Sequence, residues 1–230
     1  MSINPTETAG RTKAKSPVRD ALLRERFVRL WRRYARSDAH TDADDIWRRL
    51  EGRYAEPHRH YHDKQHLAHC LEQLDLAAGL IRRPDEVEMA IWFHDVVNQP
   101  GRLDNEALSA ELFREAASPA LEPTFIAAVE ELILITTHKH PPGDPDHQFI
   151  CDIDLASFGC PWECFLQDSD AVRAEFTGPD EEYYRGKRVF LEALLERPKI
   201  FRTDFFNERY EQQARDNIRR LLELMDARRA

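Results

Sequence analysis

Pro84-Asp85-Glu86-Val87-Glu88-Met89-Ala90-Ile91-Trp92-Phe93-His94-Asp95-Val96-Val97 is the segment that sets the character of the whole chain. Proline is accepted in the first turn of a helix, where the N–H it lacks has no partner to lose. Behind Pro84, the residues Val87, Ala90, Ile91 and His94 recur at the spacing that lines one helical face. The segment therefore reads as an apolar helix ending near the adjacent pair His94-Asp95, with Gln99–Gly101 (QPG) breaking the chain after it. Neighbouring side chains on a helix diverge by about 100°. An adjacent His-Asp pair can thus address a single ion only from a position beside the helix end.

The same periodicity extends in both directions. Leu22, Leu23, Phe27, Leu30, Trp31 and Tyr34 predict a helix over about 18–36, and Ile46, Trp47, Leu50 and Tyr54 a shorter one. Leu67, Cys70, Leu71, Leu74 and Ala78 give a stripe for a helix over about 64–82. Downstream, Asp104 is placed to cap a helix carrying Leu108, Leu112 and Phe113, and Pro123 opens another with Ile126, Val129, Leu132 and Ile133. Further helices are expected near 147–158, 161–176, 180–196 and 204–228. No alternating strand pattern of useful length occurs. The fold class is all-α, a single-domain helical bundle over 19–230 with a C-terminal helical extension, preceded by a disordered tail at 1–18.

Composition narrows the function classes. Charged residues make up 33% of the 230 and hydrophobic residues 42%, as in soluble globular proteins. No apolar run approaches the ~20 residues that span a bilayer, and the N-terminal stretch lacks the apolar core of a secretory signal. A net charge of −9 argues against tracking a nucleic acid duplex, but not against a small phosphorylated substrate, because a metal and a few basic side chains reverse the field locally. Cys160 and Cys164, four apart, invite a zinc reading. With no CxxC pair, and with Cys70 and Cys151 inside apolar patterns, reduced thiols in the cytoplasm are the expectation.

Three features carry chemistry. Histidine is concentrated in HRHYHDKQHLAH, residues 58–69, where His62 and His66 would share a face of any helix that begins early enough to include both. The pair His94-Asp95 is the second. The third is Asp152-Ile153-Asp154 in FICDIDLASFG, residues 149–159, where carboxylates interrupt an apolar run. Buried acids there cost several kcal/mol unless paired or metal-bound. Taken singly, each feature has an ordinary structural explanation as a hydrogen-bonded core histidine, a helix cap or a solvated turn. The ordered set of His, then His-Asp, then Asp, each at a helix flank, outweighs those explanations.

That order resembles the HD superfamily of metal-dependent phosphohydrolases, all-helical proteins named for their His-Asp pair; the resemblance runs from about Tyr61 to Gly159. It implies His66, His94, Asp95 and Asp154 as metal ligands, Asp154 being preferred to Asp152 because DIDLASFG resembles the family's D-x-D-x-L stretch. YHDKQH, residues 61–66, is similar to the YHNxxH motif of cyclic-nucleotide phosphodiesterases, which implies His62 as a general acid, with Asp63 in place of the asparagine. Two-metal members carry extra histidines. His138, in ITTHKH, stands at the later place, but Asn105, in DNEALSA, stands at the earlier one, which favours one ion and leaves His138 to bind a phosphate oxygen or water. Asn105, Glu106 and Asp152 are expected as supporting residues around the ligands. Of the cations Arg173, Arg185, Lys187 and Arg188, either Arg185 or Arg188 is expected to face substrate.

Two imidazoles and two carboxylates suit one divalent ion, Mn²⁺, Fe²⁺, Co²⁺ or Ni²⁺, with Mg²⁺ and Zn²⁺ as further candidates. Such an ion lowers the pKa of a bound water toward neutrality for attack on phosphorus. The resemblance therefore implies hydrolysis of a phosphate ester, a nucleotide or related small metabolite. Two rival readings are a non-catalytic regulatory module that binds metal and a nucleotide, and a di-iron oxygenase, against which Asn105 counts.

Overall fold

The structure is a computed structural model and describes residues 17–227, which form helix after helix with no β-strand among them. In chain order the helices are α1 (Pro17–Tyr34), α2 (Ala43–Tyr54), α3 (Lys64–Ala77), α4 (Pro84–Phe93), α5 (Asn105–Ala117), α6 (Pro123–Ile135), α7 (Pro145–Leu155), α8 (Trp162–Glu175), α9 (Asp180–Glu196) and α10 (Asp204–Ala227). Short 3-10 turns, Ala78–Leu80 and Ala156–Gly159, follow α3 and α7. The expected tail lies outside the described residues as far as residue 16, and α1 already begins at Pro17. No helix among the described residues is long and apolar enough to cross a membrane.

Helix starts follow local chemistry. Asp42, Asp63 and Asp144 accept backbone N–H groups of the first turns of α2, α3 and α7, while Pro84, Pro123 and Pro145 occupy first-turn positions of α4, α6 and α7. Asp104 stands at the N-cap of α5 but makes no capping bond, because the Arg102 guanidinium takes its carboxylate at 2.6 and 2.7 Å.

Helix α4 is the centre. Met89, Ala90, Ile91, Trp92 and Phe93 are all buried in sequence, so the helix is enclosed on every side rather than along one stripe. It packs against α1, α3, α5, α6 and α7. Phe27 of α1 meets Trp92 edge-on at 5.5 Å and stands 5.9 Å from Trp47 of α2, which ties the two N-terminal helices to α4.

The C-terminal helices fix the far end of α7. The buried Asp152 carboxylate accepts the N–H groups of Arg202 and Thr203 and the Thr203 hydroxyl, at 2.7–2.8 Å, just before α10. From α10, the Asn217 amide donates to the carbonyls of Phe158 and Cys160, both at 2.8 Å. Between these ties Gly159 lies directly on Tyr210, where an added Cβ would come within 2.4 Å of the Tyr210 Cβ. That atom is anchored to the α10 backbone and cannot swing away. Gly159→Ala should therefore destabilise the protein by about 1–3 kcal/mol, read as a lower urea midpoint with an unchanged slope. An unchanged midpoint would mean that the turn and α10 separate at little cost.

Candidate metal centre

Three helix ends converge on one point. Helix α3 starts where Asp63 accepts the N–H groups of Gln65 and His66, which places His66 in the first turn and buries it. Helix α4 stops at Phe93, so His94 is its C-cap and Asp95 begins the turn beyond, the end-on placement that the sequence requires of an adjacent pair. Asp154 comes from the last turn of α7. His94 Nε2 lies 3.0 Å from Asp95 Oδ2 and 3.5 Å from Asp154 Oδ1; His66 Nε2 lies 3.3 and 3.4 Å from the same two oxygens.

This geometry fits a bound cation. His94 Nδ1 donates to the Ile91 carbonyl at 2.9 Å, so Nε2 presents a lone pair to the carboxylate oxygens. His94 Nε2 and Asp95 Oδ2 are buried and have no hydrogen-bond partner among the described residues. Buried acceptors aimed at one another are unfavourable unless a proton or a metal lies among them. Burial by itself would disfavour the charged forms, yet the histidines and carboxylates outweigh it. Facing Asp95, His94 is raised well above its ordinary value, and Asp95 and Asp154 are held well below the carboxylate range. A metal entering this cluster competes with protons on the imidazoles.

Cys70 is a donor that the sequence reading assigned to packing. One turn beyond His66 on α3, its Sγ is 3.6 Å from His66 Nε2, and ligand atoms of His66, Cys70, His94 and Asp154 all lie within 4.8 Å of one another. The i, i+4 spacing of His66 and Cys70 was the available signal. A second group, Cys160, Cys164 and Asp168, likewise brings its ligand atoms within 4.8 Å.

His62 is not on a helix with His66, because α3 begins only at Lys64. Glu175, the last residue of α8, holds it instead. One Glu175 oxygen accepts the N–H groups of His60, Tyr61 and His62 at 2.8–2.9 Å, and the other meets His62 Nδ1 at 2.5 Å and the Asn98 amide at 3.1 Å. The buried Arg59 guanidinium donates to the carbonyls of His62, Asp95 and Val96 at 2.7–2.9 Å, locking this loop onto the turn after α4. Sequence reasoning found neither Glu175 nor Arg59.

Next to the cluster is a cavity of about 260 Å³ lined by His62, Asp95, His138 and Asp154 and also by Phe158, Phe165, Phe190 and Lys187. Glu106 lines it as well, whereas Asn105 turns back to the Gln99 backbone and Asp152 serves α10, so neither reaches the cluster. Nor do the expected arginines line it: Arg188 pairs with Glu192 and Asp226, Arg185 is exposed, and Lys187 enters in their place. His138 Nε2 is engaged by Asp154 Oδ2 at 2.8 Å, so it is not left over for a phosphate oxygen.

Asp154→Asn should abolish most of the bound divalent metal, expected at about one ion per chain, whereas Asp152→Asn should keep the metal but melt at lower temperature. Elemental analysis with thermal melts checks this, and equal metal loss in both variants would contradict the separation of roles. Glu175 gives a pH test. Burial would raise it, but the His62 ring and the N–H groups of Tyr61 and His62 lower it from 4.5 to about 2. Its stabilising contribution is complete above pH 4.5 and is lost as pH falls from 4.5 toward 2. Glu175→Gln should therefore be less stable than the parent at neutral pH, with the gap narrowing below pH 4.5 in denaturant titrations; a gap independent of pH would remove the carboxylate charge from the explanation. Comparison with known protein families, curated proteins and solved structures finds no match for this chain, and the reading of the site rests on its own geometry.

Proposed function

We propose that this protein is a metal-dependent phosphohydrolase of the HD type, acting on a small phosphate ester such as a nucleotide. The observation that carries the reading is the convergence of His66, His94, Asp95 and Asp154, in the order H…HD…D, beside a cavity into which a separately held histidine, His62, also opens. In this reading those four residues hold one divalent ion. Bound there, the ion would supply Lewis acidity and lower the pKa of a water molecule.

The chain's own residues do the remaining work. His138, bonded to the outer oxygen of Asp154, orients that carboxylate so that its other oxygen faces the two imidazoles. Glu175 takes the Nδ1 side of His62 and fixes the ring, which leaves Nε2 as the atom from which a proton can reach a leaving oxygen. Arg59 keeps His62 and Asp95 in register by binding both of their carbonyls. Phe158, Phe165 and Phe190 give the cavity aromatic lining that suits a flat apolar moiety, with Lys187 as the cation there.

Mn²⁺-loaded protein should release phosphate or the alcohol from at least one member of a panel of nucleoside phosphates, cyclic nucleotides and a nitrophenyl phosphodiester. His62→Ala should keep parental metal content while kcat falls about 10²–10⁴-fold, with a smaller loss on the nitrophenyl ester, whose leaving group needs little protonation. Absence of turnover across the panel by metal-loaded protein would replace catalysis with ligand sensing. A uniform loss on all substrates would remove the acid role from His62.

A further inference from the structure

A second cavity of about 200 Å³ shares His138 and Leu155 with the main one, and its walls carry His138, Lys139, His140, Arg197 and Arg202. Such a gathering runs against the composition, because the chain has 42 acidic residues for 33 lysines and arginines. Other half-buried arginines are matched, Arg26 by Asp75 and Glu88, Arg83 by Asp146 and Arg215 by Glu211, whereas arginines such as Arg49 and Arg185 that make no ion pair are exposed. Among the described residues neither Arg197 nor Arg202 has a carboxylate within ion-pair distance. Arg197 spends one N–H on the His138 carbonyl at 3.1 Å, and the Arg202 guanidinium makes no hydrogen bond among the described residues. Asp152, the acid among the described lining residues, feels the charge of Arg202 but already accepts two backbone N–H groups and the Thr203 hydroxyl.

Both guanidiniums are half-buried, so their mutual repulsion is poorly screened. The Arg197 side chain is lowered from its ordinary value by burial and by the charge of Arg202. Two guanidinium forks in a small concave site match the oxygens of a tetrahedral oxyanion. The site also touches the candidate metal centre through bonds: Arg197 holds the His138 carbonyl, and the His138 ring holds Asp154. His138 is the one non-glycine residue among those described with a left-handed backbone, φ 55°, a conformation that costs about 1–2 kcal/mol and lets its ring face Asp154 while its carbonyl faces Arg197.

We propose that Arg197 and Arg202 form a binding site for a phosphate-type dianion, distinct from the metal centre and joined to it through His138. The binding site stands on this geometry alone; its effect on turnover rests on the phosphohydrolase reading. The anion comes either from a distal phosphate of a substrate that runs past His138 or from a free phosphate in solution.

The probe is inorganic phosphate at constant ionic strength, titrated into the full-length protein and followed by calorimetry. Arg202→Gln removes no side-chain hydrogen bond among the described residues and should weaken phosphate binding about tenfold or more, with parental metal content and melting temperature. Arg202→Lys should lie between the two, because it keeps the charge but loses the fork. Chelating the metal should leave the Arg202-dependent binding in place. Phosphate binding that is unaffected by Arg202→Gln, or that disappears entirely with the metal, overturns the proposal. With active protein, a KM raised by Arg202→Gln only for nucleoside di- and triphosphates assigns the site to substrate. An effect of added phosphate on all substrates, lost in Arg202→Gln, assigns it to a free anion. If no substrate is turned over, the phosphohydrolase reading fails, while the titrations still decide whether the anion site exists.

Discussion

Acceptor atoms that face one another out of contact with bulk water are the constraint on which this structure depends. His94 commits Nδ1 to a backbone carbonyl, so its other nitrogen and the nearest oxygens of Asp95 and Asp154 turn lone pairs toward a common point, with His66 Nε2 near the same two oxygens. Taking such groups from water costs several kcal/mol per charge unless a proton or a cation joins them. Helix termination serves this arrangement. Helix α4 has to stop at Phe93 for adjacent residues to converge, α3 has to begin late enough for His66 to fall in its first turn, and α7 has to deliver Asp154 in its last. The aromatic packing of Phe27, Trp47, Trp92 and Phe93 fixes α4 against α1 and α2, and α4 in turn packs on α3 and α7.

The loops around this point are held by one repeated device, a buried charged side chain that collects the backbone groups a loop leaves without partners. Arg59 gathers three carbonyls, Glu175 three N–H groups, and Asp146 the N–H groups of Arg82 and Arg83. Asp152 does the same for Arg202 and Thr203 ahead of α10. Backbone polar groups in a protein interior need partners, and a single ionised group satisfies several at once with strong bonds. Such a loop has few alternatives, since releasing it strands both the charge and the backbone groups. Rigid loops hold His62 and Asp95 at fixed separations without help from helix periodicity.

His138 shows the same economy in its own backbone. Its left-handed conformation directs ring and carbonyl to different partners, Asp154 on one side and Arg197 on the other, and so joins the main cavity to the basic one. Strain at such a residue persists only where neighbours over-determine it.

Much of this was legible in the chain itself. Apolar spacing placed a helix where each of the ten lies, with α9 at 180–196 as expected, because a half-buried helix must place apolar residues on one face whatever it packs against; the helix expected over 64–82 ends earlier, at Ala77, where a 3-10 turn takes over. The pair His94-Asp95 and the acids at 152 and 154 were conspicuous for a similar reason: polar groups inside apolar runs need a physical explanation. What the sequence could not reveal were partners distant along the chain. Glu175 lies 113 residues from His62, and nothing in either local pattern marks them as a pair. Asp152 and Asp154 are alike in residue type and local pattern, and only the family resemblance favoured the second as a ligand; the packing of α10 against the turn after α7 gives the first to Thr203 and leaves the second to the histidines. Arg185, Lys187 and Arg188 are likewise near neighbours on α9, and only the docking of that helix turns Lys187 into the cavity and Arg188 toward Glu192 and Asp226. Periodicity is a local property that each segment carries by itself, whereas the choice among equivalent polar side chains is made by whichever element arrives from far along the chain to bury one and leave the other in water.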